Sequence, residues 1–517
     1  MVAATHPARE PPFVPFAVTV PAIIRRHPLV SAALLLLLWT MVLRLPFAHI
    51  VDDDEAFFSV VATRWQHGEL PYVASFDIKP PLLFLLYVIA NLLTGGGLAA
   101  IKGLEVVMVA WGAWAIYRLV SRHGPQPAAV WAAGLYPIYS LALSGVYAPN
   151  LPIVAPFIIM ACDYALRARQ DGLRAVAIAG ALCGCAGLVK QTAVFETLAI
   201  LVFLFVSTPK GGRLRMLAIF VASAALAWVP FIVYFWLNGA LRQAFDAVVL
   251  SAVTRLHGDV QLMPSGELRP VSEWNGLIYF LPCLKPVFAL LWLAAVAALR
   301  YRKMGETWPQ PLLQLCALWI AAASVDLFSM HGMAEMYAQD FVAPLLIVSG
   351  IVVTRGFAFA RGTRAWWIAG YVVAAVAVPA FIDRNDLWLG VVKGRNDPKA
   401  IEAVAEAMKA DGVKPGDRIF VPNRGLMIYV ATRTMPTANV FHPLQLMCDF
   451  STPDAHPLAQ GLARRTDYLV VARTDLNMVC ETPQHRTELN QAIARDYRPV
   501  KVVTGDWDTF TIYRRKT

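Results

Sequence analysis

The sequence predicts an α-helical polytopic membrane protein carrying a small α/β soluble domain at its C-terminal end. Of 517 residues, 58% are hydrophobic and 15% charged, with a mean hydropathy of +0.54. That is more apolar side chain than a soluble core can absorb. Apolar stretches long enough, or nearly so, to cross a bilayer also recur along the first 380 or so residues, at roughly 20 residues per crossing. Beyond about residue 384 apolar density falls and charge rises.

In chain order, the segments read as spans lie near 28–49, 99–120, 127–143, 151–166, 175–189, 192–207, 215–237, 276–299, 311–329, 337–354 and 365–382. Residues 1–27 are expected to form a cytoplasmic N-terminal segment with no recognisable cleavable signal, and Arg25-Arg26 marks the first span as an anchor. The run 80–97 opens with Pro80-Pro81 and closes in Gly95-Gly96-Gly97. It reads as a short helix at the outer face, because that placement puts every basic cluster on the cytoplasmic side. Those clusters are Arg25/Arg26, Arg118/Arg122, Arg167/Arg169/Arg174, Lys210/Arg213/Arg215, Arg300/Arg302/Lys303 and Arg355/Arg361/Arg364. About 11 crossings, and up to about 13 helices, are expected over a membrane domain 28–383. Its outer loops are then 50–79 and 238–275, and residues 384–517 face outward.

Within 384–517, residues 398–411 have the pattern of an amphipathic helix. Arg418–Val421, Tyr468–Ala472, Val500–Val503 and Thr509–Tyr513 read as strands. Cys448 and Cys480 are the cysteine pair of this region, and an oxidising compartment permits a disulfide between them. The other five cysteines lie in or beside apolar helices, as small hydrophobes do. The net charge of +10 sits largely in the basic loops, where topology and lipid headgroups account for it, and no basic stripe with interleaved aromatics marks a nucleic-acid surface.

Polar groups gather at the outer face. Asp52, Asp53, Asp54 and Glu55 follow the first span directly, and Asp77-Ile78-Lys79-Pro80-Pro81 closes the same loop. Clustered carboxylates raise one another's pKa unless a cation is near. Asn150, Lys190, Arg255, His257, His331, Glu335, Tyr337 and Asp340 are expected at the same depth. Charge inside a membrane helix is costly, so clustering at one depth points to a shared hydrophilic cavity, suited to a lipid-borne phosphate. Each group also has a plainer role: Asp54-Glu55 suits a helix start, and Lys79 suits an interface.

Three strings carry a family resemblance: Asp54-Glu55-Ala56-Phe57-Phe58, Gly68-Glu69-Leu70-Pro71-Tyr72 and Asp77-Ile78-Lys79-Pro80-Pro81-Leu82. They resemble the first outer loop of GT-C superfamily glycosyltransferases, in particular bacterial relatives of protein O-mannosyltransferases and of the aminoarabinose transferases that modify lipid A. Gly187-Leu188-Val189-Lys190, Tyr337 with Pro344, and Pro415-Gly416-Asp417-Arg418-Ile419-Phe420-Val421 agree with that pattern. The resemblance implies a sugar donor linked to polyprenyl phosphate, a lipid, glycan or protein acceptor, and inverting displacement at the outer face of a bacterial inner membrane. It implies Asp54 as general base supported by Glu55, and Lys79 on the carrier phosphate, with Arg255 and Lys190 as further phosphate ligands. Asp53, Asp77, His257 and Tyr337 would line the site. Aminoarabinose transferases carry an arginine where Phe57 stands and an acid where Ile78 stands, so the general transferase reading is preferred over that specific one. Asn150 stands where some relatives place a metal-binding carboxylate, which leaves a divalent metal open. The competing class is a lipid-linked sugar transporter, against which stands the lack of an internal repeat.

Overall fold

The computed structural model describes residues 27–144, 150–251, 253, 260–262, 268–270, 309–329, 339–358, 397–447, 456–464, 466–473, 483–506 and 508–516. The expected spans 276–299 and 365–382 lie outside them, as do Arg255, His257, Tyr337, Cys448 and Cys480.

Helix α1, Pro28–Arg44, exposes Leu34, Leu35 and Leu38 and buries Arg44 at its end, as suits a lipid-facing anchor. Next come α2, Asp53–Gln66, and α3, Pro81–Thr94. At 14 residues, α3 is about 21 Å long, short of a bilayer core of about 30 Å. The long α4, Gly97–His123, packs against α1, α5 (Gln126–Ser144) and α6 (Asn150–Gly187). Helix α6 breaks at Gly172, with φ of 61°, and so separates the two segments expected there.

Four helices follow: α7 (Val194–Ser207), α8 (Arg213–Leu226), α9 (Val229–Leu237) and α10 (Leu241–Phe245). The last long apolar helices described are α11 (Gln310–Ser329) and α12 (Gln339–Ala358), with a small hairpin of β1 (Val260–Leu262) and β2 (Leu268–Pro270) before them. Among the described residues, five helical stretches are long and apolar enough to cross a membrane: 28–47, 97–123, 150–187, 210–237 and 310–327. Contact between α6 and α8 depends on Gly180 and Gly184. A Cβ on either would stand 2.3 Å from a backbone oxygen of α8, of Phe220 and Ala224 respectively. This is the small-residue spacing that lets membrane helices touch backbone to backbone.

The C-terminal region is α/β. Helix α13 (Pro398–Ala410), capped by Asp397 onto the Ala400 N–H at 3.0 Å, precedes β3 (Arg418–Phe420), α14 (Met427–Thr432) and β4 (Met435–Pro436). Then come α15 (Pro443–Met447), α16 (Pro457–Ala463), β5 (Tyr468–Arg473), α17 (Pro483–Asp496), β6 (Tyr497–Thr504) and β7 (Thr509–Arg515). The sheet order is β4-β3-β5-β7-β6. β3 runs parallel to β4 and β5, and β7 antiparallel to β5 and β6. The run Leu469-Val470 in β5 is fully buried, as expected for a central strand covered on both faces.

Candidate active site

The site is organised by the start of α2. Asp52 is the N-cap: its carboxylate accepts the Asp53 N–H at 2.6 Å, and Glu55 returns the contact by accepting the Asp52 N–H at 3.1 Å. Successive helical residues then point about 100° apart, so the three acids Asp53, Asp54 and Glu55 take three directions.

Glu55 turns into the membrane bundle and is 3% exposed. Both its oxygens accept from Lys102 Nζ, at 3.0 and 2.9 Å. Lys102 also reaches Glu105 at 3.3 Å, and Glu105 pairs with Arg44, which donates to Ser140 at 3.0 Å. Two cations thus face two carboxylates across α1, α2 and α4. Burial raises the Glu55 carboxyl, opposed by Lys102.

Asp53 turns toward the C-terminal domain, where its Oδ1 accepts the Leu426 N–H at 3.1 Å. Burial raises its carboxyl, while Arg424 and His442 pull it down. Asp54 meets Nε2 of His442 at 2.9 Å. The His442 ring lies edge-on to Phe57, 5.2 Å between centroids. Burial disfavours its charged form, but the bond to Asp54 and the carboxylates of Asp54, Asp77 and Asp53 outweigh this and raise its pKa.

The same C-terminal segment is fastened along α2 and its loop. Arg64 donates to Ala438 O at 3.0 Å, the Phe76 N–H to Asn439 O at 2.9 Å, and Phe441 packs on Phe57 at 4.6 Å. Glu69 bridges Arg64 and Arg418, joining loop to domain. These contacts deliver His442 to Asp54.

The second half of the loop turns at Tyr72, whose φ is 69° and whose hydroxyl donates to Lys79 O at 2.8 Å. Asp77 is buried and accepts the Ile78 N–H at 2.6 Å. Burial pushes its carboxyl up to about 6, against the pull of Lys79 and His442. Gln191 donates to Ile78 O, and the Leu82 N–H to Leu188 O at 3.0 Å, so the end of α6 fixes the lysine-bearing turn. Lys79 is half-buried and has no carboxylate within ion-pairing distance among the described residues.

Of the residues singled out by sequence, Asp53, Asp54 and Asp77 converge on His442, and Lys79 acts electrostatically on Asp77. Glu55 stands apart in the bundle network. Lys190 is also apart: 4% exposed, it donates to Asp326 and Asp340, each at 2.8 Å, so it is a buried ion-pair centre and not an open phosphate ligand. Carboxylate oxygens of Glu196, Asp326 and Asp340 lie within 4.8 Å of one another, a spacing that suits a cation, and the Lys190 ammonium bridges two of the three. Asn150 is buried at the start of α6. His442, Lys102 and Glu105 escaped the sequence reading. His442 is 388 positions from Asp54, which no local pattern records. Lys102 and Glu105 had a signal, a charged pair three residues apart inside an apolar stretch.

Residues 78–236 match the family model for dolichyl-phosphate-mannose-protein mannosyltransferase. ArnT from Cupriavidus metallidurans bound to undecaprenyl phosphate superposes with a TM-score of 0.61 at 15% identity, covering 95% of this chain and 98% of that one. Its apo state gives 0.62 at 14% identity, over the same shares. The arabinofuranosyltransferase AftD from Mycobacteria gives 0.51 at 13% identity, over 95% of this chain and 40% of that one. No curated protein sequence matches the chain. Over almost its whole length, therefore, this chain shares the fold of ArnT.

Proposed function

We propose that the protein is an integral membrane glycosyltransferase that moves a sugar from a polyprenyl-phosphate carrier to a lipid, glycan or protein hydroxyl at the outer face of a bacterial inner membrane. Residues 28–383 would form the membrane domain and 384–517 the outward domain that completes the site. The observation that carries this reading is the convergence of Asp54, Asp77 and His442 at the turn bearing Lys79, within a fold shared with a protein that binds undecaprenyl phosphate.

In the reaction, the acceptor oxygen attacks the anomeric carbon opposite the phosphate, and its proton passes to Asp54. The new C–O bond forms as the bond from carbon to phosphate oxygen breaks, inverting the centre and leaving polyprenyl phosphate. A phosphate departs without protonation, so a second carboxylic acid of the glycosidase type is unnecessary. Lys79 stabilises the charge building on the leaving phosphate. His442 holds Asp54 in place, and Glu55 anchors the helix start that presents it. A base must be within hydrogen-bond reach of the proton it takes, which makes geometry the first criterion for Asp54.

The test is transfer by purified protein in nanodiscs, offered a panel of polyprenyl-phosphate sugars with membrane extract as acceptor. Wild type transfers a sugar, and Asp54→Asn, still folded, loses roughly 10²–10⁴-fold in rate. Full activity in Asp54→Asn would remove it from the role of base, and failure with every carrier would overturn the transferase reading.

A further inference from the structure

A cavity of about 780 Å³ opens between α6, α7, α8 and α11, at the end of the bundle away from the candidate active site. Leu173 lines it, and the end of α6 that leads to Lys190 lies about 21 Å further along that helix. Most of a bilayer core of about 30 Å therefore separates the two places. Gly172, with φ of 61°, turns the chain at the rim.

The floor of the cavity is apolar and the rim is cationic. Val176, Phe203, Leu204, Met216 and Leu312 are all buried there. Arg169 and Arg215 stand exposed above them, and no Asp or Glu is among the lining residues. Val206 and Leu214, each next in sequence to a lining residue, are 68% and 82% exposed, so the cavity borders the lipid-facing surface of α7 and α8.

Basic residues at such a helix end are ordinary in a membrane protein, but the fold treats this pair differently from its neighbours. Arg118 and Arg122 reach the fully buried Asp163 at 3.1 and 2.9 Å, and His123 Nε2 stands 3.4 Å from its other oxygen. Arg167 pairs with Asp171. Arg213 donates to Thr208 O at 3.1 Å and lies 4.6 Å from the centroid of the Phe205 ring. Arg169 donates to Ser207 O at 3.3 Å, which fastens it between α6 and α7. Neither Arg169 nor Arg215 has a carboxylate at ion-pairing distance among the described residues. The acids at this end are thus taken by other cations, and the two guanidinium groups over the cavity keep their charge uncompensated.

We propose that this cavity binds the headgroup of one anionic phospholipid from the leaflet opposite the candidate active site, with Arg169 and Arg215 on its phosphate and Phe203, Leu204 and Leu312 under its glycerol and first acyl carbons. Basic pockets between membrane helices suit anionic headgroups, and a guanidinium presents paired donors to phosphate oxygens. The volume lies within the range of small-molecule sites. A lipid held there ties α6 and α7 to α8 and α11, and the proposal does not depend on the role of Asp54.

The experiment is native mass spectrometry of the delipidated full chain in detergent, titrated with dioleoylphosphatidylglycerol, dioleoylphosphatidylcholine or glycerol 3-phosphate. One phosphatidylglycerol binds saturably, at least about tenfold tighter than phosphatidylcholine. The double variant Arg169→Gln/Arg215→Gln weakens it roughly 10–30-fold. Arg174→Gln/Lys210→Gln removes the same charge from exposed positions outside the cavity and changes binding less than about threefold. Because Arg169 also bonds to α7, Arg215→Gln alone is measured too, and it weakens binding at an unchanged unfolding midpoint. Equal loss in the two double variants would overturn the site in favour of adsorption to a basic surface. Equal affinity for the two phospholipids, or indifference to Arg215→Gln, would overturn it as well. Glycerol 3-phosphate binding as tightly as phosphatidylglycerol would refute the lipid source.

Discussion

Two lysines, Lys79 and Lys190, sit among carboxylates in two regions, and their surroundings differ. In the bundle, Lys190 is 4% exposed and donates at 2.8 Å to each of Asp326 and Asp340, while Thr192 adds a bond to Asp326 at 3.0 Å. In the outer loop, Lys79 is half-buried, and its backbone is held through Tyr72 while its ammonium has no carboxylate at ion-pairing distance among the described residues. The first arrangement pairs its cation with buried carboxylates; the second leaves the ammonium without one among the described residues, as the proposed role on a carrier phosphate requires. A lysine in an apolar chain therefore signals function less by its presence than by whether the fold neutralises it.

The sharpest test pairs Lys79→Ala with Lys190→Met. Removing one partner of a buried pair leaves an uncompensated charge and costs about 3–5 kcal/mol, so Lys190→Met lowers the thermal unfolding midpoint of the detergent-solubilised protein sharply. Lys79→Ala leaves that midpoint in place and lowers sugar transfer roughly 10²–10³-fold, the scale for a group stabilising transition-state charge. A stable Lys190→Met protein that has lost transfer would break the comparison, because Lys190 would then be acting on the substrate.

Asp77 refines the contrast within the outer region. Its carboxyl is pushed up to about 6 from a usual 3.8, so the folded state binds the proton more tightly than the unfolded chain does. Stability from this group is fully present below pH 3.8 and is lost as pH rises through about 6. The change across that window is on the order of 3 kcal/mol. In Asp77→Asn the slope between pH 4 and 6.5 flattens, as read from unfolding midpoints across a pH series. An unchanged slope would assign the pH dependence to Asp53 or another carboxyl.

What the sequence disclosed follows the range of the forces involved. Asp54 and Lys79 were legible because one short loop holds both, and α13 because its apolar positions repeat at helical spacing and a proline opens it. β4 was not, since two residues are too few to alternate. The separation of roles between Asp54 and Glu55 was also hidden. Adjacent acids look equivalent in a string, and only the helix start sends one to His442 and the other to Lys102. His442 was invisible for a related reason: nothing near it in sequence marks its placement, which comes from Phe441 on Phe57 and from backbone bonds at Ala438 and Asn439.

The smallest expected effect tests the join between the two domains. His442 is raised above its usual 6.5 by Asp54, Asp77 and Asp53, against the cost of burial. Its contribution to docking is therefore complete below pH 6.5 and is lost as pH rises through the folded-state pKa, the same direction as for Asp77 but at higher pH. His442→Gln keeps a donor for Asp54 and removes the charge, so it costs about 1–2 kcal/mol at pH 6, the margin of a charged over a neutral hydrogen bond. It also abolishes the stability change on the alkaline side, while His442→Ala loses the donor as well and lowers transfer about tenfold at every pH. Hydrogen exchange at residues 426–442, compared at pH 6 and 8.5, reads the docking directly. If protection there is the same at both values in wild type, the His442 charge does not hold the domain, and its contact with Asp54 is positional alone.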